Sequence, residues 1–186
     1  MIRHLSLALA ASLISLGAAA QVVKLSTTAG DIRIQLDAEK APKTVANFVQ
    51  YVKAGHYNGT IFHRVIDGFM IQGGGYTASL AQKPTRPPIP LESQNGLTNV
   101  RGSIAMARTA DPNSATSQFF INVVDNPMLD AANARDGKGY AVFGHVISGM
   151  EVVDAIRTTA TESKGMHQNL PVQAILVNKA IVEPKQ

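Results

Sequence analysis

The 186-residue sequence contains no cysteine and no tryptophan. Without cysteine there is no disulfide framework, no thiol catalysis, no cysteine-ligated zinc site and no iron–sulfur cluster. Charged residues are sparse at 16%, and the 17 Lys and Arg are scattered rather than clustered, which disfavours a nucleic-acid-binding protein. The hydrophobic content of 45% suits a folded globular chain, and the length suits one domain.

The most continuous apolar run lies at the N-terminus and is too short to span a membrane. Arg3 precedes an apolar segment from Leu5 to Leu16, and Ala18–Ala20 then offers a small-residue cleavage site. A membrane-spanning helix needs about 20 apolar residues, whereas this order of features is typical of a secretory signal peptide. We therefore expect residues 1–20 to be removed and residues 21–186 to form the mature domain.

Short apolar segments separated by glycine and proline make up the mature sequence. Two alternating segments around Gly30 predict a β-hairpin, and apolar residues at helical spacing from Val45 to Val52, with Pro42 before them and Gly55 after, predict a helix. That helix is expected at 43–54 and a second at 149–158, with further strands at 60–66, 68–73, 102–107, 118–124, 140–147 and 172–183. Gly73–Gly75 are expected to end the strand before them. About eight short strands without a βαβ rhythm indicate a mainly β barrel or sandwich.

Sequence motifs for metal, cofactor or covalent chemistry are missing. The histidines beyond residue 20 lack metal-ligand spacing, and the G-x-S-x-G nucleophile elbow is absent, although a triad assembled by folding stays open. Residues 73–78 fit a G-x-G-x-x-A dinucleotide pattern. The prolines between 84 and 90 leave no room for the helix that such a site requires. We therefore predict neither a metal nor a cofactor.

Residues 60–75, TIFHRVIDGFMIQGGG, place an arginine in a segment that otherwise suits a buried strand. Arginine is almost never fully buried without a partner. Arg64 is therefore expected either to reach solvent at a strand end or to lie over an apolar groove. From this residue alone, a solvated arginine on a half-exposed strand is the simpler interpretation.

The same segment resembles the cyclophilin family of peptidyl-prolyl isomerases. The family signature F-H-R-x-[IV]-x-G-F-M-x-Q-G-G is present at 62–74, with GSIAMA at 102–107, SQFFI at 117–121 and VFGHV at 142–146. The N-terminal hairpin and the helix start at Ala41-Pro42 also match. The resemblance therefore covers residues 22–182, and the motifs follow one another in the same order as in the family. With the predicted signal peptide, the sequence is similar to the bacterial periplasmic cyclophilins.

The resemblance implies a mainly β fold: a closed eight-stranded antiparallel β-barrel with an α-helix over each open end. It implies isomerisation of Xaa-Pro peptide bonds, with Arg64 as the catalytic residue. The substrate-binding residues it implies are Phe69, Met70, Gln72, Ala107, Arg108, Gln118, Phe120, Met128, Leu129 and Tyr140. Among these, the side chains that form the family's proline pocket are Phe69, Met70, Phe120 and Leu129. The two glutamines bind substrate, and the main chain at Ala107 and Arg108 pairs with it.

Strand alternation conflicts with one part of this site. Met70 and Gln72 would share one face and Phe69 would take the other, so we expect a bulge or kink around Gly68. The sequence also departs from the common eukaryotic pattern, because Met128 replaces a frequent tryptophan and Tyr140 replaces a histidine. Met128 should weaken the binding of cyclosporin-like ligands without abolishing isomerisation, and a functional role for Tyr140 stays open.

The mechanism that the resemblance implies requires no covalent bond and no proton transfer. Rotation about an amide costs roughly 18–20 kcal/mol because its C–N bond has partial double-bond character. The twisted transition state restores a lone pair on the proline nitrogen, and a donor aimed at that nitrogen lowers the barrier. Arg64 suits this role because its guanidinium stays charged, so the rate should be flat from about pH 6 to 9.

Two other functions stay open beside the isomerase. One is an adaptor or chaperone that keeps the groove with little activity, and the other is a secreted hydrolase or sugar-binding barrel, since barrels host many functions. The expected partners are proline-containing peptides and unfolded exported proteins, with no nucleic acid and no membrane after signal cleavage. No apolar surface pattern indicates an oligomer, so we expect a periplasmic monomer.

Overall fold

The computed structural model describes residues 21–184, and the predicted signal peptide lies outside them. The elements in chain order are β1 (Val22–Thr27), β2 (Gly30–Leu36), α1 (Pro42–Lys53), β3 (Thr60–Ile66), β4 (Met70–Thr77), β5 (Ser103–Met106), β6 (Phe119–Asn122), a 3-10 turn (Pro127–Leu129), β7 (Val142–Ser148), α2 (Met150–Arg157), β8 (Thr161–Lys164), β9 (His167–Pro171) and β10 (Leu176–Val182). Within this range, eight strands close an antiparallel barrel in the order β1-β10-β3-β4-β6-β5-β7-β2. The predicted barrel with two helices is confirmed.

Side chains from alternate strand positions and from both helices fill the barrel. α1 inserts Phe48, whose ring lies 5.1 Å from Tyr57, 5.6 Å from Phe119 and 5.1 Å from Phe143, measured between ring centroids. α2 adds two buried aliphatic side chains to the same core. No helix among residues 21–184 is long and apolar enough to cross a membrane.

Two features of the strands differ from the sequence-based expectation. β4 continues through Gly73–Gly75, where a Cβ on Gly73 would lie 3.1 Å from the Ile61 carbonyl oxygen and one on Gly75 2.6 Å from Gln118 Cγ. These glycines therefore permit close approach within a strand instead of ending it. The β8–β9 hairpin was missed because β8 is exposed along its whole length and shows no apolar alternation.

A bulge in β3 determines which way Arg64 points. Phe62 pairs with Gly73 and Arg64 with the adjacent Gln72, so His63 is an extra residue on β3. Strict alternation would place Arg64 on the inner face with Phe62, whereas one inserted residue shifts the following side chain to the other face. Phe62 is fully buried and Arg64 is half-buried on the outer wall.

The predicted irregularity at Gly68 takes the form of a tight turn. Gly68 has a φ of +73°, and the Phe69 N–H donates to the Ile66 carbonyl at 3.1 Å. Phe69 thus precedes β4 and is not subject to its alternation, so its side chain shares a face with Met70.

Candidate active site

A row of side chains crosses the outer wall of the barrel over four neighbouring strands. The pairing register sets Arg64 of β3 opposite Gln72 of β4, Gln72 opposite Phe120 of β6, and Phe120 opposite Ala105 of β5. Directly opposed residues have Cβ atoms about 5 Å apart. The register therefore brings a guanidinium, an amide and an aromatic ring side by side.

A cavity of about 220 Å³ opens over this row. Its lining consists of Arg64, Phe69, Met70, Gln72, Ala107, Arg108, Phe120, Leu129 and Tyr140. The apolar members pack against a small cluster around Met70 and Phe120 that is separate from the barrel core. The cavity thus combines an apolar floor, formed by Met70 and Phe120, with the Arg64 guanidinium at its edge.

Two of the expected substrate-binding residues do not line this cavity. Gln118 is hydrogen-bonded to Gln72, whose Nε2 donates to the Gln118 Oε1 at 2.9 Å. Met128 lies in the 3-10 turn and is 55% exposed, whereas the adjacent Leu129 lines the cavity. Successive side chains of a 3-10 turn are about a third of a turn apart, so neighbours point in different directions.

Hydrogen bonds connect Arg64 to both glutamines. The Arg64 Nη1 donates to the Gln72 Oε1 at 3.3 Å, and the Gln72 Nε2 then donates to Gln118. Because a guanidinium can only donate, it orients the Gln72 amide, which in turn orients that of Gln118. This chain of donors fixes the position of Arg64 relative to the apolar floor.

The Arg108 side chain is an internal support of the cavity wall and is only 3% exposed. Its Nε donates to the Gly139 carbonyl at 2.9 Å, and its Nη2 contacts the Asp136 carboxylate. This hydrogen bond, with two backbone N–H groups, lowers the pKa of Asp136 to about 2. The guanidinium also covers the Tyr140 ring at 4.7 Å, and that ring meets Phe120 edge-on at 5.5 Å.

The main chain beside the cavity is already partly paired. The Ala107 N–H donates to the Gln118 carbonyl at 3.0 Å. Because this bond occupies the Ala107 N–H, Ala107 would pair with an extended peptide through its carbonyl oxygen.

His63 lies next to Arg64 and is 6% exposed. Its ring lies 4.7 Å from the Tyr76 ring and 6.4 Å from that of His167 on β9, measured between centroids. Burial lowers the pKa of His63 to about 4, with the nearby His167 and Arg64 acting in the same direction. His63 is therefore neutral at pH 7 and adds no charge beside Arg64.

No group of three or more histidine, aspartate or glutamate side chains within residues 21–184 is arranged to hold a metal ion. The donor groups at the cavity are a guanidinium and amides instead of carboxylates. Such groups hydrogen-bond to carbonyl oxygens and to amide nitrogens with a lone pair.

A family model described as cyclophilin type peptidyl-prolyl cis-trans isomerase matches residues 22–182. The chain belongs to this family. Cyclophilins catalyse cis–trans isomerisation of Xaa-Pro peptide bonds and bind proline-containing peptides. The chain is therefore assigned as an isomerase, in preference to a hydrolase, a sugar-binding barrel or an inactive adaptor.

Bacterial relatives resemble this cyclophilin along most of their length. It is 54% identical over 163 residues to peptidyl-prolyl cis-trans isomerase A of Dickeya dadantii, covering 88% of this chain and 85% of that protein. It is 51% identical over 162 residues to peptidyl-prolyl cis-trans isomerase B of Escherichia coli, covering 87% and 99%.

A solved structure gives the same fold at lower identity. The cyclophilin type isomerase of Cryptosporidium parvum has a TM-score of 0.74 at 26% identity, covering 90% of this chain and 99% of that one. A structure of that protein in the presence of the dipeptide Ala-Pro has a TM-score of 0.73 at 27% identity, covering 89% and 100%.

Proposed function

We propose that this cyclophilin binds and rotates Xaa-Pro bonds in the cavity over Arg64. The observation that supports this placement is the half-buried Arg64 guanidinium, hydrogen-bonded to Gln72 at the edge of the apolar floor. A proline ring is apolar while the amide on its N-terminal side is polar. The cavity offers a matching surface to each.

The proline ring packs on Met70 and Phe120, between Phe69 and Leu129. Burial of this ring from water stabilises the bound peptide by roughly 25 cal/mol per Å² of apolar surface. The same contacts are made in both isomers and in the transition state, so they favour binding more than rotation. Rotation therefore depends on the polar groups at the edge of the cavity.

Arg64 acts on the proline nitrogen. In the planar amide the nitrogen lone pair is delocalised into the carbonyl and is a poor acceptor, whereas in the twisted amide it is localised. A hydrogen bond from the guanidinium is therefore made mainly in the transition state and lowers the barrier. The Gln72 Oε1 accepts from the guanidinium, and the Nε2–H of Gln72 that does not bond to Gln118 donates to the substrate carbonyl.

The rate of this reaction is expected to be independent of pH between about 6 and 9. Arginine keeps its proton throughout this range, and the pKa of the neighbouring His63 is about 4. The check is kcat/KM for a short Ala-Pro peptide measured at half-unit intervals of pH, with the uncatalysed rate subtracted. A bell-shaped profile inside this range would show that a titrating acid or base takes part.

Cyclosporin is expected to bind weakly because Met128 lies where many cyclophilins have tryptophan. Met128 is 55% exposed beside Leu129, so a tryptophan there has room to cover a large ligand and to offer an indole N–H. Met128→Trp should lower the Kd for cyclosporin at least about tenfold, or 1.4 kcal/mol, with little change in kcat/KM. Calorimetric titration of both proteins measures this, and equal Kd values would refute the role of position 128.

The physiological role that we propose is assistance to the folding of exported proteins, by a monomer in the periplasm. The support is the signal-peptide pattern of residues 1–20 and the slow isomerisation of Xaa-Pro bonds in unfolded chains. Mass spectrometry of protein recovered from the periplasmic fraction of a bacterial host should give a chain beginning near Gln21. Full-length protein confined to the cytoplasm would contradict export.

A further inference from the structure

Three buried asparagine side chains form a hydrogen-bonded chain beside the cavity. Asn99, Asn122 and Asn126 are each at most 2% exposed. The Asn126 Nδ2 donates to the Asn122 Oδ1 at 2.7 Å, and the Asn122 Nδ2 donates to the Asn99 Oδ1 at 3.2 Å. Asp130 accepts from both the backbone and the side-chain nitrogen of Asn99, at 2.7 and 2.8 Å. A buried polar network this well satisfied holds its members in one arrangement.

Asn126 connects this chain to two walls of the cavity. Its side-chain Nδ2 donates to the Phe69 carbonyl at 2.8 Å, and its backbone carbonyl accepts from the Leu129 N–H at 2.9 Å. Phe69 comes from the turn between β3 and β4, whereas Leu129 comes from the 3-10 turn after β6. The Asn126 side chain thus connects the turn that carries Phe69 to the 3-10 turn that carries Leu129.

The orientation of the Asn126 amide follows from its partners. The two closest atoms that face its nitrogen, the Phe69 carbonyl and the Asn122 Oδ1, are both acceptors. Only an N–H donor satisfies both, and a carboxylate in the same place would repel them. The Asn126 side chain therefore acts here through its N–H donors.

Phe69 depends on such support because it lies in a turn. It follows Gly68 with its positive φ and precedes β4, and its carbonyl accepts from the Val123 N–H at 3.1 Å as well as from Asn126. Leu129 is held on its other side by the Tyr140 N–H, which donates to the Leu129 carbonyl at 2.9 Å.

We propose that Asn126 is a positioning residue that sets the distance between Phe69 and Leu129, and with it the fit of the cavity to the proline ring. This inference rests on the proposed placement of the active site. The hydrogen bonds of Arg64, Gln72 and Gln118 do not include Asn126. Loss of its donors should therefore weaken substrate binding and leave the rotation step largely intact.

The test is the separate measurement of kcat and KM for a short Ala-Pro peptide. Asn126→Ala and the isosteric Asn126→Asp should each raise KM about tenfold, which corresponds to about 1.4 kcal/mol of binding free energy, with kcat within about twofold. Asn133→Ala is the matched control. Asn133 is exposed and donates to the Pro127 carbonyl of the same 3-10 turn, without contact to Phe69, and its KM should not change.

The proposal is overturned if both Asn126 variants are folded, by circular dichroism and thermal unfolding, and keep the KM of the parent protein. It is also overturned if kcat falls as KM stays constant. If neither variant folds, Asn122→Ser removes the acceptor that orients the Asn126 amide and should raise KM in the same way, and an unchanged KM there refutes the proposal. Failure of the proposed active site is a separate result, because it would appear as an active Arg64→Ala protein.

Discussion

Replacement of Arg64 by alanine is expected to lower kcat/KM for cis-to-trans conversion of an Ala-Pro peptide by about 10²–10³-fold, the range found when one transition-state donor is removed. The loss should lie mainly in kcat, because the hydrogen bond to the proline nitrogen forms only as the amide twists. The apolar floor is unchanged by the substitution. Peptide binding should therefore persist, with KM raised a few-fold at most.

Two further arginine variants separate the hydrogen bond from the charge. Arg64→Lys keeps the cation but loses the planar fork that bonds to Gln72, so it should recover only part of the lost rate. Arg33→Ala removes a half-exposed arginine whose Nη2 lies 2.6 Å from the Glu183 carboxylate, away from the cavity, and should keep full activity. An Arg64→Ala protein with kcat/KM within twofold of the parent would show that Arg64 is not catalytic.

Phe48→Ala is expected to lower the free energy of unfolding by about 3–5 kcal/mol. Phe48 is fully buried and its ring contacts three aromatic rings of the barrel, so truncation leaves a cavity between α1 and the strands. The lining of this cavity is rigid and aromatic, and it can collapse only in part. Urea unfolding followed by circular dichroism measures the loss.

A matched apolar truncation at the surface provides the control for Phe48. Met166 at the tip of the β8–β9 hairpin is 96% exposed, so Met166→Ala should change the free energy of unfolding by less than about 0.5 kcal/mol. Equal effects of the two substitutions would show that α1 does not close the core as described. Phe48→Leu, which refills most of the volume, should recover more than half of the loss.

Local sequence pattern predicted the strands and helices well where residues alternate and poorly where the backbone departs from alternation, and it left a barrel or a sandwich open. Helix α1 and strand β3 lie within a residue of their predicted bounds, because apolar spacing and proline or glycine boundaries determine them. The bulge at His63 leaves no such signal. It depends on pairing with Gly73 across the hairpin, which a single strand does not reveal.

The family motifs predicted most of the residues that line the cavity, but not how they are held there. Nine of the eleven expected residues line one cavity, whereas Met128 points to solvent and Gln118 accepts a hydrogen bond from Gln72. Arg108 was expected to act through its main chain. Its side chain is also buried, and its guanidinium packs over the Tyr140 ring and supports it.

Asn126 shows why such supports are hard to predict. It stands in the polar segment D-N-P before the 3-10 turn, where composition predicts a solvated loop. In the folded chain its side chain is buried against the Phe69 carbonyl of the β3–β4 turn and against Asn122. The spacing of Asn122, Asn126 and Asp130, four residues apart each time, is the only sequence signal, and it resembles ordinary loop composition.

The most direct test of the active-site placement is a nuclear magnetic resonance titration of the mature protein with a short Ala-Pro peptide. Methyl and amide signals of Met70, Gln72 and Leu129 are expected to shift most, with line broadening from exchange between the two isomers that Arg64→Ala reduces. Shifts centred instead on the groove beside Leu97 and Ala131, with the cavity over Arg64 unaffected, would contradict the placement.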